Sequence, residues 1–194
     1  MENDDLKWEE VSTEHIVQDE WIDFRRHVYR FPDGTEFGPY YSYSRRDYVV
    51  VAARDEDGNY ICVRQFRQGI REVTTEFCAG GIERTDGMEY GKRDGKANED
   101  ALSAAKRELL EETGYTSESW RHLLTIPSNA TIADNYAFLF AADHCRRTDT
   151  QHLDSTEYLN VQIVTPQELQ QLIKNGQFQQ SAHVLAWLLS EKGL

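Results

Sequence analysis

Eight short segments rich in β-branched and aromatic residues constrain the fold of this 194-residue chain more than any other feature. They lie at 24–31, 37–43, 48–54, 60–66, 73–79, 123–126, 136–142 and 158–164. Turn-forming residues separate the first pair of segments at 32–34 and the second pair at 57–59. Segments of this kind are typical of β-strands, so the chain is predicted to be built around a β-sheet.

Three further segments have helical patterns, at 98–113, 165–176 and 181–193. Asn98 is the predicted N-cap of the first helix, and Gly114 is predicted to end it. Thr165 and Glu168 have the spacing of a capping box at the start of the second helix. The third helix is apolar along one side, at Val184, Leu185, Leu188 and Leu189, and its leucines are expected in the core or at a subunit interface. Strands interspersed with helices predict an α/β (α+β) fold, in which helices cover a mixed β-sheet and the segments at 24–43 form an N-terminal antiparallel strand extension.

The charge of the chain argues against two classes of partner. Its formal net charge of −13 at pH 7 disfavours sequence-independent binding to nucleic acid or to anionic membranes, because both need a basic surface. No segment has the roughly 20 apolar residues of a membrane span, and the first residues do not have the pattern of a signal peptide. Cys62, Cys78 and Cys145 have neither the spacing of a disulfide framework nor that of a zinc site. A cytoplasmic protein without nucleic-acid or membrane partners is therefore expected.

Charge is distributed unevenly, which suggests a domain organisation. Residues 1–20 hold eight acidic residues against one lysine and are predicted to be an acidic lead-in to a single domain at 21–194. Residues 21–71 contain nine arginines and no lysine, a composition typical of bidentate recognition of phosphate or carboxylate, although most of these arginines are individually expected on solvated strand faces. Residues 84–97 contain three glycines and no apolar periodicity, and are predicted to form a long loop.

Three glutamates lie close together near the end of the first predicted helix. Glu108, Glu111 and Glu112 are three and four positions apart, so their carboxylates share one side of the helix and repel one another. The helix macrodipole also disfavours negative charge at this end. Two interpretations remain open on these grounds. The segment is either a solvated acidic helix end, or a site where carboxylates hold a hard divalent cation such as Mg²⁺.

The residues around these glutamates resemble the Nudix box, whose signature is Gly, five residues, Glu, seven residues and then Arg-Glu-apolar-any-Glu-Glu-any-Gly-apolar. Every specified position from Glu99 to Tyr115 is filled, counting Tyr115 as apolar. The upstream segment 76–83 is similar to the one that opens the box in ADP-ribose pyrophosphatase-like members, and 64–67 resembles their Gln-aromatic-Arg strand end. The resemblance implies a Nudix-type α-β-α sandwich.

The sequence departs from the family pattern at two points. Eighteen residues separate Gly80 from Glu99 where the box has five, which indicates an insertion within 84–97. We expect this insertion to be a flap that affects substrate preference. The proline that the ADP-ribose pyrophosphatase group carries beyond the box is absent at the usual distance, because Pro127 lies only twelve residues after Tyr115.

The resemblance also implies a set of metal ligands. Glu108 and Glu112 are the principal expected ligands, and Glu111 is expected to be a further ligand or to orient the attacking water. The backbone carbonyl of Ala79 is another expected ligand, because the corresponding loop in similar enzymes faces the metal. The expected cofactor is Mg²⁺, with Mn²⁺ as the alternative.

Four other residues receive roles from the resemblance. Arg107 is expected to orient a glutamate through an ion pair, and a weak surface pair is the alternative. Glu157, in the loop before the last strand, is the candidate general base, and an exposed loop acid is the alternative. Arg67 is a candidate contact to phosphate or ribose. Arg64 is a weaker candidate, since strand alternation can turn it elsewhere.

The implied function is metal-dependent hydrolysis of the diphosphate in a nucleoside diphosphate linked to another moiety, with ADP-ribose or a sugar nucleotide as the expected substrate. Two alternatives remain: a nucleotide-sensing module without catalysis, and an enzyme that acts on dinucleotides. The three glutamates favour catalysis over sensing. Similar enzymes build a homodimer interface from their N-terminal strands, so a homodimer through residues 21–48 is expected.

Overall fold

A computed structural model describes residues 6–19, 21–83 and 99–193. The predicted insertion at 84–97 and the predicted N-cap Asn98 lie outside the described residues. The described residues form ten strands and three helices. In chain order these are β1 (Glu9–Gln18), β2 (Asp23–Arg30), β3 (Glu36–Ser44), β4 (Tyr48–Asp55), β5 (Tyr60–Arg67), β6 (Glu72–Gly81), α1 (Ala101–Thr113), β7 (Tyr115–Thr116), β8 (Ser119–Pro127), β9 (Tyr136–Arg147), β10 (Leu159–Val164), α2 (Pro166–Lys174) and α3 (Ser181–Lys192).

The chain divides into two compact units, and the first contains residues up to 46 together with 127–135. Its three-stranded antiparallel sheet has the order β1-β2-β3. The hairpin β2–β3 was predicted, whereas β1 lies inside the segment 1–20 that was expected to be a lead-in. Every residue of β1 is exposed, so the strand has no buried apolar face that the sequence could reveal. The predicted boundary at residue 20 does not coincide with a limit of either compact unit. The single domain at 21–194 stays a prediction.

The second unit is built on a seven-stranded mixed sheet with the order β10-β5-β6-β4-β9-β7, in which β8 pairs with β9. β4 and β9 are parallel, and the other pairings that include β4, β5 or β6 are antiparallel. The predicted hairpin β4–β5 exists only next to its turn, where two residue pairs face each other. Beyond them β6 lies between β4 and β5 and pairs with both strands.

Helices cover both faces of this sheet. Val49 and Val51 of β4 pack with α1 on one face, whereas Val50 faces α2 and α3 on the other, because successive strand residues point to opposite faces. All three valines are fully buried. The layered mixed α/β architecture confirms the predicted fold class.

The ends of two helices test the predicted caps. α1 begins at Ala101, and its N-cap is Asp100, whose carboxylate accepts hydrogen bonds from the backbone of residues 102 and 103. The predicted N-cap Asn98 was therefore wrong, since Asp caps as well as Asn and lies two residues later. Gly114 ends the helix in the left-handed conformation at φ 76°, as predicted. The capping box of α2 is confirmed.

The apolar side of α3 packs on the core except at Leu188. Val184, Leu185 and Leu189 are partly buried against the core, whereas Leu188 is exposed. The most buried residues of this helix are Ala182, His183, Ala186 and Ser190. None of the described helices is both long enough and apolar enough to cross a membrane.

Candidate active site

Three carboxylates converge in the second unit. Glu108 and Glu112 come from α1, and Glu157 comes from the loop before β10. One oxygen of each lies within 4.8 Å of the others. Glu108 and Glu112 lie one helical turn apart on the side of α1 that packs on the sheet, which leaves them 6% and 2% exposed. Two predicted metal ligands and the candidate base are thus neighbours.

The electrostatics of this group favour an added cation. Burial and the charge of Glu108 raise the pKa of Glu112 to about 8, although the Ala79 N–H donates to Glu112 at 3.2 Å. Burial raises the pKa of Glu108 to about 7 against the opposing effect of Arg107. Hard oxygen donors that repel one another in a buried position fit Mg²⁺ or Mn²⁺. A bound divalent cation would relieve both the repulsion and the cost of burial.

The end of β6 is shaped around the same carboxylates. Gly80 pairs with Val49 near the end of β6. A Cβ atom built on Gly80 would overlap the carboxylate of Glu108. Only glycine therefore leaves room for that carboxylate, and the neighbouring Ala79 already contacts Glu112 through its N–H. Whether the Ala79 carbonyl is a metal ligand stays a prediction.

Arg107 connects the glutamates of α1 to the end of β6. Its guanidinium donates to both oxygens of Glu99 at 3.0 and 3.1 Å, to Glu108 and Glu111 at 2.9 Å each, and to the carbonyl of Gly81 at 3.0 Å. Burial lowers the pKa of Arg107, but these glutamates outweigh burial and hold the pKa above its ordinary value. Arg107 therefore bonds three glutamates and a backbone carbonyl at once, unlike an arginine in an isolated surface ion pair. The role of Glu99 was not predicted, although its position is specified in the box.

Glu111 occupies a different environment from its two neighbours. Its side chain is 41% exposed and pairs with Arg107. Among the described residues, the group able to hold a cation consists of Glu108, Glu112 and Glu157, so Glu111 lies outside it. Its expected role as a ligand or water orienter stays a prediction.

Glu157 is held by a short turn of its own loop. The Asp154 N–H donates to the Glu157 carboxylate at 3.1 Å, and the Glu157 N–H donates back to the Asp154 carbonyl at 2.9 Å. The side chain is only partly buried. Glu157 is therefore a partly exposed carboxylate fixed beside the α1 pair, and its role as general base stays a prediction.

The two candidate substrate arginines lie on opposite faces of β5, because an odd number of positions separates them. Arg67 donates through Nε to both oxygens of Glu76 at 2.9 Å, and its Nη2 also donates to that carboxylate. Arg64 is exposed and lies away from this pair. Burial raises the pKa of the fully buried Glu76, but Arg67, His183 and Thr74 outweigh burial and lower the pKa below its ordinary value.

The pairing of Arg67 with Glu76 was not predicted. Glu76 opens the segment that resembles the Nudix pattern, and this position was its only signal. The contact depends on the register of β5 and β6, in which Val63 faces Glu76. Whether Arg67 and Arg64 contact a substrate stays a prediction.

Comparison with known proteins gives three findings. A family model described as the NUDIX domain matches residues 44–188. The ADP-ribose pyrophosphatase of Bacillus subtilis (strain 168) is 28% identical over 128 residues, which cover 66% of this chain and 62% of that protein. The methanol dehydrogenase activator of Bacillus methanolicus is 27% identical over 139 residues, which cover 71% of this chain and 68% of that protein.

A solved structure shares the fold. The crystal structure of an ADP compounds hydrolase superposes with a TM-score of 0.76 at 18% sequence identity, and the match covers 97% of this chain and 94% of that chain. At this identity the likeness concerns the fold alone.

Proposed function

Since the chain belongs to the NUDIX domain family, as its box predicted, we propose that it hydrolyses the diphosphate of a nucleoside diphosphate linked to a second moiety. The observation that carries this proposal is the convergence of Glu108, Glu112 and Glu157. Hydrolysis of a diphosphate requires neutralisation of its negative charge and a positioned water, and carboxylates serve both needs by holding a cation and by accepting a proton.

Glu108 and Glu112 would hold the cation, Mg²⁺ or Mn²⁺, with Glu157 close enough to contribute. When bound, the ion would neutralise charge on the diphosphate and lower the pKa of water. Because their burial otherwise disfavours ionisation, Glu108 and Glu112 depend on that ion to remain charged at neutral pH. The raised pKa values also predict that protons compete with the metal, so metal affinity falls as the pH is lowered.

The other predicted site residues would orient a metal ligand, activate the attacking water or contact the substrate. Arg107 holds Glu108 at 2.9 Å and so fixes the orientation of its carboxylate. Glu157 would accept the proton of the attacking water at its carboxylate, with Glu111 as the alternative acceptor. Arg67 would contact phosphate or ribose with the part of its guanidinium that does not bond Glu76, since its side chain is 32% exposed. Arg64 is the weaker candidate for such a contact.

ADP-ribose is the first substrate to test, because one relative is an ADP-ribose pyrophosphatase. A sugar nucleotide is the second, since the family proline beyond the box is displaced. Catalysis is favoured over nucleotide sensing because carboxylates that could hold a cation are present and converge. Dinucleotides belong in the same substrate panel.

The test is hydrolysis of ADP-ribose, sugar nucleotides and dinucleotides with Mg²⁺ or Mn²⁺, measured as phosphate release after coupling to a phosphatase. We expect turnover of ADP-ribose or a sugar nucleotide that EDTA abolishes and added metal restores. Glu118→Gln is the matched control for substitutions at the site, because Glu118 is exposed on the same unit. Tight nucleotide binding without any turnover would support the sensing function instead. Turnover restricted to dinucleotides would support the other alternative.

We further propose a homodimer in the cytoplasm. Exposed aromatic side chains of the first unit, among them Trp21, Phe37 and Tyr41, support an interface within 21–48. Three free and buried cysteines support a reducing compartment. Sedimentation equilibrium tests the dimer, and a monomer across the micromolar range would contradict it.

A further inference from the structure

The loop from 148 to 157 is attached to the C-terminal end of α1. The last carbonyls of any α-helix have no partner within the helix. Here the N–H groups of Thr148 and Asp149 donate to the carbonyl of Gly114 at 2.9 and 3.1 Å, and the His152 N–H donates to the carbonyl of Glu111 at 2.8 Å. The loop therefore satisfies the end of the helix that carries the carboxylates.

Gln151 supplies the side-chain member of this attachment. Its Nε2 donates to the backbone carbonyl of Glu112 at 2.7 Å, and its side chain is partly buried. Glu112 thus bonds in two directions. Its carbonyl accepts from the loop, while its carboxylate belongs to the group that also contains Glu157 of the same loop.

The approach of the two segments is close. A Cβ atom built on Gly114 would overlap the carbonyl of Asp149, and the φ of Gly114 is 76°. The loop therefore contacts the backbone of the helix end directly. Five residues after His152, the same loop brings Glu157 to Glu108 and Glu112.

We propose that Gln151 is a positioning residue that fixes the loop on the end of α1 and thereby holds Glu157 beside the carboxylates of Glu108 and Glu112. The other contacts come from the backbone and are available to many sequences, whereas this one depends on an amide donor of the right length. The kinetic part of this inference rests on the proposed hydrolysis, and the structural part does not.

The first experiment is amide hydrogen exchange of the full chain, followed on peptides that contain residues 148–157. Gln151→Met keeps the length of the side chain and removes the donor. We expect exchange in this segment to become about fivefold faster, which corresponds to the loss of one hydrogen bond of typical net strength. Gln151→Lys keeps a donor and places a cation where the macrodipole favours one, so it should recover most of the protection. Gln162→Met, at an exposed position of β10, is the matched control and should leave the segment unchanged.

The second experiment is a double-mutant cycle on hydrolysis. We expect Gln151→Met to lower kcat by about 10- to 100-fold with KM changed by less than about twofold, because displacement of a catalytic group by about 1 Å has effects of this size. In the background of Glu157→Gln, the same substitution should have no further effect, since its influence acts through Glu157. Gln151→Lys should recover most of kcat.

The outcomes separate this proposal from the proposed function. An unchanged exchange rate of residues 148–157 in Gln151→Met would show that Gln151 does not fix the loop. If the decrease in kcat of the double variant equals the product of the decreases of the two single variants, Gln151 does not act through Glu157. If the native protein hydrolyses nothing in the panel, the proposed function fails, and hydrogen exchange still decides whether Gln151 fixes the loop.

Discussion

Glu76 and Glu112 are both buried in the second unit, 0% and 2% exposed, yet their environments shift their pKa values in opposite directions. Burial raises both pKa values. At Glu76 the hydrogen-bonded Arg67 outweighs burial, and the pKa lies below its ordinary value. At Glu112 the nearest charge is another carboxylate, Glu108, and the pKa rises to about 8. The protein supplies the cation for the first glutamate, whereas the second would need an ion from solution under the proposed function.

This difference has a structural origin. Glu76 lies on a strand beside β5, where the long side chain of Arg67 reaches it from a position four residue pairs along the two strands. Glu112 lies on a helix, where the residue four positions earlier is Glu108. Arg107 bonds Glu108, Glu111 and Glu99, whereas Glu112 accepts a hydrogen bond from the backbone N–H of Ala79. A carboxylate whose role is structural and one available to a metal ion are therefore told apart by their neighbours and not by burial.

The largest expected effect comes from removal of the charge of Glu112. Glu112→Gln keeps the shape of the side chain and should lower turnover by about 10²–10³-fold, because one electrostatic contribution to the transition state is lost. The free energy of unfolding should not decrease, since a buried like-charge contact is relieved. Turnover and thermal unfolding are measured side by side, with Glu118→Gln as the control. Near-native hydrolysis by Glu112→Gln would refute its assignment as a metal ligand.

The second-largest effect is expected when Glu76 loses its cation and so becomes a buried carboxylate without a positive partner, as Glu112 is. Arg67→Met leaves Glu76 buried without its cation and should lower the free energy of unfolding by about 3 kcal/mol at pH 7. In the native protein the lowered pKa of Glu76 contributes stability above its ordinary pKa and loses it as the pH falls. In the variant the pKa should be raised, so the protonated form is stable at low pH and stability is lost as the pH rises.

Urea unfolding at several pH values measures this reversal. The deficit of Arg67→Met should shrink between pH 7 and about pH 4.5, because Glu76 can then take up a proton. The double variant Arg67→Met with Glu76→Met should recover stability, since no buried charge remains unpaired. A double variant less stable than Arg67→Met alone would show that the pair is not what stabilises this region.

The third effect concerns the neutral neighbour of Glu76. Burial lowers the pKa of His183 to about 4, and its Nδ1 accepts from the Phe77 N–H at 3.1 Å. A lowered histidine pKa contributes stability above the ordinary value of 6.5 and loses it as the pH falls toward 4. The difference in unfolding free energy between the native protein and His183→Gln, measured by urea unfolding, should shift by about 2 kcal/mol against the native protein between pH 7 and about pH 4.5. A pH-independent difference would show that the pKa of His183 is not lowered in the folded state.

The smallest effect is expected in the first unit, where Glu14 pairs with Arg26 at the surface. Both side chains are about half exposed, so water already solvates each charge. Glu14→Gln should change the free energy of unfolding by less than about 0.5 kcal/mol. If urea unfolding shows that the free energy of unfolding falls by more than about 1 kcal/mol, the exposed pair Glu14–Arg26 stabilises the fold in the way that the buried pair Arg67–Glu76 does.

Most strands of the second sheet were predictable because they contain runs such as 48–54, whose β-branched residues are buried on both faces, whereas the two-residue strand β7 was not predicted. β1 was not predictable, since exposure of every side chain removes the pattern. The packing of α3 was predictable in part, since its larger apolar residues do contact the core, whereas the apolar side gave no sign that Ala182 and Ala186 are the more buried residues.

The site was predictable where the sequence places its members close together or in a known pattern. Glu108 and Glu112 are neighbours on one helix, and Glu157 was proposed from its place in the family pattern. Contacts that depend on strand register or on loop path were not found in advance. The pairing of Arg67 with Glu76 and the contact of Gln151 with α1 are of this kind.

The order of the strands has a consequence for synthesis of the chain. β4 lies between β6 and β9, and its register with β9 pairs Tyr48 with Ala137. Residues 49–53 are apolar and at most 1% exposed once the sheet is complete. While the chain grows on the ribosome, these residues cannot pair with β9 until the ribosome has synthesised it. During that interval they form an apolar segment open to other chains, so chaperone binding should raise the yield of folded protein.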